Sequence, residues 1–438
     1  MPAPLVRQRR RKPADSQQSS AEALARAPHQ RAAPSLASFS RIPGMGTKSP
    51  VFPVIWMWRA AARQCRMLRH LGGGTLPALV LLIGCTGAEA PRGVSVVTAP
   101  APSGSERYCA WYADREGDLL YVGEAPFWSA MRASGGDPTA DLSTAGPRPI
   151  GRFDLAAERW LPPLDVTREG SRSGVWDVHV HRDGQVYFTS FYEPGGRIDP
   201  RSGDVTHFDA AGPGLNELAP GPGDRVLVSR YGAGADHASD GGELLTLDPA
   251  GEVAHRWPLP APAGYRVAPK TPAWNPVRRR LVATTDLIPR DGGELRHDAF
   301  QLDAEGAAWE RSRDPELQFV AATADGTEYR VEAHAGGGLW LRRIDPPGAS
   351  RGERQVLLDP RFPAAVDFAQ DLKFAADGRA VVTRWSGVVH VVDASGAVAT
   401  LRLPRLDPDG LYYTAVIRGN RVCATHCADV TVVCADSP

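Results

Sequence analysis

One unit recurs along most of this chain, and its recurrence limits the fold more than any other feature. It is clearest at 175–208, which reads Val-Trp-Asp-Val-His-Val-His, an Arg-Asp-Gly turn and Gln-Val-Tyr-Phe-Thr-Ser; after a loop come Gly-Arg-Ile-Asp-Pro-Arg-Ser-Gly and Asp-Val-Thr-His-Phe. Short β-branched and aromatic runs favour strands, and Asp-Gly between two of them favours a tight hairpin. The unit is therefore four short antiparallel strands. Its second half, an apolar residue followed by Asp and a Gly-containing turn, returns with Asp154, Asp199, Asp248, Asp303, Asp345 and Asp393, at spacings of 45, 49, 55, 42 and 48 residues. Four strands every fifty residues or so make a blade of a β-propeller, whose sheets bury both faces against their neighbours.

The units predict blades over 108–165, 175–208, 215–257, about 271–309, 317–358 and 368–403. What is left, 411–434, supplies three strands. Propellers close by lending the last sheet a strand from the other terminus, which removes a free edge. The apolar patch 94–97 is the available strand, so the expected fold is an all-β propeller of seven four-stranded blades over 108–438, with six blades as the alternative.

Charge divides the chain in two. Residues 1–84 hold thirteen Lys and Arg against two acids, and the remainder holds 37 against 48, a body eleven charges negative. That excess argues against nucleic acid as a partner. Residues 1–66 have no apolar period and read as disordered or untranslated. From Met67 a basic start, a short apolar run and a small residue before Cys85 read as a signal peptide over 67–84. The apolar run is too short to span a bilayer. Pro- and Ala-rich 85–107 reads as a tether that includes the closing strand.

Export bears on the cysteines. Apart from Cys65 and Cys85, four remain: Cys109 at the start of the repeat region, and Cys423, Cys427 and Cys434 at its end. A closed ring brings these together, and an oxidising compartment turns an even count into two disulfides with three possible pairings. A zinc site of three Cys and His426 is the competing reading.

Two constellations carry possible chemistry. Asp177, His179 and His181 alternate on one predicted strand, share a face, and could hold a metal. Counting six residues back from the inner hairpins gives Asp177, Glu217 and Asp371, three carboxylates near one channel mouth. Like charges held together favour a bound cation or raise a pKa. The bland reading of both sets is hydrogen bonding and capping within packed sheets. No nucleophile elbow, phosphate loop or dinucleotide fingerprint is present.

Several segments resemble known families. Leu82-Ile83-Gly84-Cys85 resembles the lipobox of bacterial lipoproteins, which implies acylation of Cys85 and anchoring in the cell envelope; Thr86, where retention at the inner membrane would call for Asp, points to the outer membrane. Segments 203–231 and 371–404, above all Trp-Ser-Gly-Val-Val-His-Val-Val-Asp-Ala-Ser-Gly from Trp385, are similar to repeats of the gluconolactonase and regucalcin superfamily, its streptogramin-lyase relatives and NHL-repeat propellers. The lactonase branch implies a divalent metal in the channel. Asn216 matches its Asn position, Gln370-Asp371 stands where that branch has Asp-Gly, and Glu124-Ala-Pro126 follows the first inner strand where a Glu-Gly-Pro would precede it. Oxygen ligands from Asp177, Asn216, Glu217 and Asp371 would suit Ca2+. The expected function is a lipid-anchored extracytoplasmic module that binds a small molecule or an envelope protein; the alternative is a metal-dependent lactonase or esterase.

Overall fold

The computed structural model describes residues 92–100, 108–125, 148–168, 174–190, 193–231, 241–291, 296–303, 309–312, 317–334, 337–349, 352–362, 367–407, 410–427 and 429–438. The segment read as a signal peptide, Cys65 and the expected lipidation residue Cys85 lie outside the described residues.

Seven four-stranded antiparallel sheets form a ring, the seven-bladed β-propeller expected from the repeat, and the six-bladed alternative falls. Blades 1 to 6 cover 109–165, 178–207, 215–258, 265–312, 317–359 and 369–402. Blade 7 combines Tyr412–Arg418, Arg421–Cys427 and Val430–Asp436 with Ser95–Thr98, which pairs with the last strand from Ser95↔Cys434 to Thr98↔Thr431. The closing strand is also tied sideways to blade 1, where Trp160 Nε1 donates to Val97 O at 3.0 Å.

Sheets pack on sheets through one apolar cluster at each seam. Ile150 and Leu164 of blade 1 meet Val178 and Phe188 of blade 2, and Val381 and Leu401 of blade 6 meet Ile417 and Val433 of blade 7. The seam between blades 4 and 5 has the smallest such cluster, five residues. Ion pairing supplements it there: Arg280 Nη2 lies 2.7 Å from buried Glu328.

The recurrent Asp is a turn device. Asp154, Asp199, Asp248 and Asp393 end or follow the third strands, and their carboxylates accept backbone N–H bonds of 2.8–2.9 Å from residues two further on. This side chain-to-backbone bonding is what makes Asp favourable in such turns.

Two bridges join the four cysteines, Cys109 to Cys427 and Cys423 to Cys434. The first links the innermost strand of blade 1 to the second strand of blade 7 and so closes the ring covalently. It also corrects the zinc reading, because all four of these cysteines are taken up in bridges and His426 packs on Tyr412 at 4.5 Å between ring centroids. Blade 4 departs from expectation in its first strand, which runs Tyr265–Asn275 and so begins well before Thr271.

Candidate functional site

The innermost strands lie in a ring around the axis: Cys109–Glu116, Val178–Val180, Leu215–Pro220, Tyr265–Asn275, Leu317–Ala322, Ala369–Phe374 and Tyr412–Arg418. Each carries a one-residue irregularity at the same height. Register shifts fall between Ala110 and Ala113, Leu215 and Leu218, Pro269 and Pro272, Leu317 and Phe319, Ala369 and Asp371, and Tyr412 and Ala415. In blade 2 the same bulge is made by Trp176 N donating to Thr189 O while Thr189 N donates to Asp177 O. A bulge inserts a residue and re-aims side chains, here around the channel.

Hydroxyls on the second strands hold the bulges. Asp177, Glu217, Thr271 and Thr414 donate their N–H groups to Thr189, Ser229, Thr284 and Thr425 over 3.0–3.2 Å. Thr189 and Thr425 also reach the next blade, donating to Asn216 O at 2.6 Å and Trp111 O at 2.8 Å.

The bulges assemble two unlike arcs. Blades 7, 1 and 2 contribute Tyr413, Trp111, Tyr112 and Trp176, with Trp111 centred 3.9 Å from Trp176 and 4.7 Å from Tyr413. Cys109 and Cys427 pack in the same cluster, so the covalent clasp sits behind the aromatic arc. Blades 2, 3 and 6 contribute Asp177, Glu217 and Asp371, all buried, with Gln370. Tyr112 spans the axis, its hydroxyl 3.1 Å from Gln370 Oε1 and 3.4 Å from Glu217 Oε1.

The three carboxylates found by counting back from the hairpins thus feel one another. Burial raises the pKa of Asp177 well above the ordinary value, and the charges of Glu217 and Asp371 add to this. Burial pushes Glu217 up to about 7 against the opposing field of Lys270. Asp371 is also raised by burial, although Lys373 and Thr414 oppose the shift. Protein groups already answer these oxygens. Asp177 accepts from Val178 N at 2.8 Å and Leu218 N at 2.7 Å, and Asp371 accepts from Leu372 N at 2.8 Å and the Thr414 hydroxyl at 2.5 Å.

Lys373 is the residue the sequence reading missed. Its Nζ lies 3.6 Å from Asp371 Oδ2. Burial disfavours its charge, but the combined field of Asp371, Asp114, Asp177 and Glu217 outweighs that and raises its pKa. Asp114 is the opposite case among the acids: burial raises it, yet Lys373, His179 and the Val180 N–H together bring it down to about 2. Strand alternation gives the signal that would have found them, since Lys373 lies two residues beyond Asp371 and Asp114 two beyond Tyr112.

The remaining candidates lie apart from this cluster or at its rim. Asn216 is buried with its amide nitrogen turned to Tyr231 Oη at 3.0 Å and Pro269 O at 3.3 Å. His179 Nδ1 lies 3.0 Å from Asp114, and His181 Nδ1 lies 3.0 Å from Asp183. Asp177, His179 and His181 therefore end on three different partners. Among the described residues no group of three His, Cys, Asp or Glu side chains has the arrangement of a metal site.

A second rim element was also missed. Asp286 and His297 are cross-strand partners in blade 4, with His297 Nδ1 2.7 Å from the buried Asp286 Oδ1 and Lys270 Nζ 3.6 Å from Oδ2. Burial raises Asp286, but Lys270 and His297 overcome it and hold the carboxyl below its ordinary pKa. The His297 ring reaches Phe368 of blade 6, 5.8 Å away between centroids.

No protein-family profile matches the sequence, and no curated protein matches it. Similar solved structures include a catalytically inactive virginiamycin B lyase from Staphylococcus aureus with quinupristin, at 11% identity and TM-score 0.48 over 78% of this chain and 98% of that one. They also include YCF48 from Cyanidioschyzon merolae, at 10% identity and TM-score 0.44 over 78% and 98%. A third is the extracellular domain of the putative hybrid two-component system BT3049 from B. thetaiotaomicron, at 9% identity and TM-score 0.45 over 79% and 41%.

Proposed function

We propose that this chain is a lipid-anchored, extracytoplasmic β-propeller that binds a small molecule or an envelope protein at its channel mouth and has no catalytic role. The observation that carries this reading is the internal cation. Lys373 stands in the field of four carboxylates, three of which burial pushes towards the protonated form. A divalent ion entering there would have to displace protons and repel an ammonium group. A propeller fold by itself serves both binders and enzymes, so the site and not the fold supports the choice.

Calcium separates this reading from the metal-dependent lactonase. Metal bound only by the folded state raises the melting temperature by mass action. The wild-type melting temperature should stay flat through a calcium titration, and no lactone should turn over. Lys373→Met should cost roughly 3 kcal/mol, because it leaves buried carboxylates without their counter-ion. The same variant should acquire a calcium-dependent melting temperature. A wild-type protein stabilised by calcium and active on a lactone would overturn the binding reading.

The envelope location rests on Leu82-Ile83-Gly84-Cys85, and the two disulfides support an oxidising compartment. Acyl chains anchor through roughly 0.8 kcal/mol per buried methylene. Expressed from Met67 in a bacterium, the protein should incorporate labelled fatty acid, and Cys85→Ala should abolish the label. Equal labelling of both proteins would remove the anchor.

A further inference from the structure

Away from the channel, just before the third strand of blade 1, Arg148 is wholly buried. Burying a guanidinium is costly unless its donors are met, and here they are met only in part. Nη1 lies 3.2 Å from Glu193 Oε2, and the guanidinium carbon is 5.5 Å from the Phe188 ring centroid. Nε and Nη2 are buried and have no partner. That edge is the fork with which arginine binds two oxygens of one carboxylate or phosphate group through parallel bonds.

A second unmet group stands nearby. His207 of blade 2 packs on the same Phe188 ring, 6.1 Å between centroids, and its Nδ1 is also buried without a partner. Burial lowers the His207 pKa, and the charges of Arg148 and Arg168 lower it further, which places the imidazole within reach of both fields. Arg168 is more open and pairs with Asp209 at 2.7 Å. Each arginine thus has an acid beside it, so the deficit at this seam is one of hydrogen-bond acceptors more than of charge.

We propose that Arg148 and His207 form an oxyanion site between blades 1 and 2, which takes a group bearing paired acceptor oxygens, a carboxylate, sulfate or phosphate, on the free guanidinium edge. Such a group would supply the acceptors that Nε and Nη2 lack. The unmet His207 Nδ1, on the same Phe188 ring, is the third donor of the proposed site. This site is independent of the channel and of what the channel binds.

Thermal melts of the full exported protein test it, with inorganic phosphate, sulfate and succinate each compared with chloride at equal ionic strength. At least one should raise the melting temperature, by roughly 2–4 °C for each tenfold step above its dissociation constant. Succinate acting alone would mark a carboxylate ligand; phosphate or sulfate acting alone would mark a tetrahedral one. Arg148→Met should abolish the rise, and Arg148→Lys, which keeps the charge but not the fork, should lose most of it. If Arg148→Met does not fold, His207→Ala gives the second reading and should shrink the rise. No anion exceeding chloride, or an undiminished rise in Arg148→Lys and His207→Ala, would overturn the site.

Discussion

Raising the pH from about 6.5 to about 8 should destabilise the propeller by roughly 3 kcal/mol through Glu124 and Glu217, with the raised Asp177 acting in the same direction. Burial pushes Glu124 up to about 8 and Glu217 up to about 7. An acid whose folded pKa is raised binds its proton more tightly when folded. Its contribution is complete below the unfolded value and is lost as pH rises through the folded one. Glu124 therefore continues to lose stability up to about 8, whereas Glu217 has finished near 7. Below about 6.5 a histidine begins to oppose them. Burial, helped by Arg384, brings His390 down to about 4, and a group lowered in this way costs stability as the pH falls. The upper window is therefore the clean one. Urea midpoints at half-unit steps would measure the slope, and Glu124→Gln should flatten its upper part, towards pH 8. A flat profile in the wild type would mean that neither carboxyl holds its proton when folded.

Acid should act through other residues. Asp114 is lowered to about 2 by groups that outweigh its burial, chiefly Lys373 and His179. A lowered acid stabilises above its unfolded pKa and loses that contribution as pH falls towards its folded value. The same ammonium thus depends on Asp114 from one side and restrains Asp177, Glu217 and Asp371 from the other. Protonation states and packing at the channel form one coupled system, with a stability maximum between the two limbs.

How much of this was legible depends on the distance over which each signal acts. The blades could be read because their punctuation is local: an Asp carboxylate caps the turn that follows it within two to four residues. Closure by 95–98 was legible as a deficit, three strands where four are needed. Blade 4 was misjudged at its start because Pro269 and Pro272 argue against a strand interior. In the fold they flank the bulge, pairing with Thr285 and Ala283. Asp177, Glu217 and Asp371 could be found because every blade places its bulge at the same offset from the inner hairpin. Tyr112 could not, since blade 1 has a phenol where three other blades have an acid. Asp286 with His297, and Arg148 with His207, depend on cross-strand register or on a seam between blades, which no single stretch records. The cysteine count implied bridges but not their pairing, which needed the strand register of blade 7.

That pairing leads to the second large effect, in which the two bridges should differ sharply in worth. A disulfide stabilises mainly by constraining the unfolded chain, and more so as the closed loop lengthens. Cys109–Cys427 closes a separation of 318 residues, and Cys423–Cys434 one of 11. The chain-entropy relation gives about 6 kcal/mol for the first and about 3 kcal/mol for the second. The second pair also faces each other on adjacent strands already joined by a full ladder from Arg421↔Asp436 to Cys427↔Val430, so cutting it leaves that register in place. Cutting Cys109–Cys427 leaves the ring closed by the 95–98 strand, the apolar seam and the ion pairs of Arg418 with Asp118 and Arg421 with Glu158 between blades 7 and 1. It also frees two members of the cluster that holds Trp111, Trp176 and Tyr413. Cys109→Ala with Cys427→Ala should therefore lower the urea midpoint well below that of Cys423→Ala with Cys434→Ala. Only the first pair of changes should also alter near-ultraviolet circular dichroism from the aromatic arc. Equal losses in the two double variants would mean that the 95–98 strand and the apolar seam already supply the closure, and that the long bridge adds little to it.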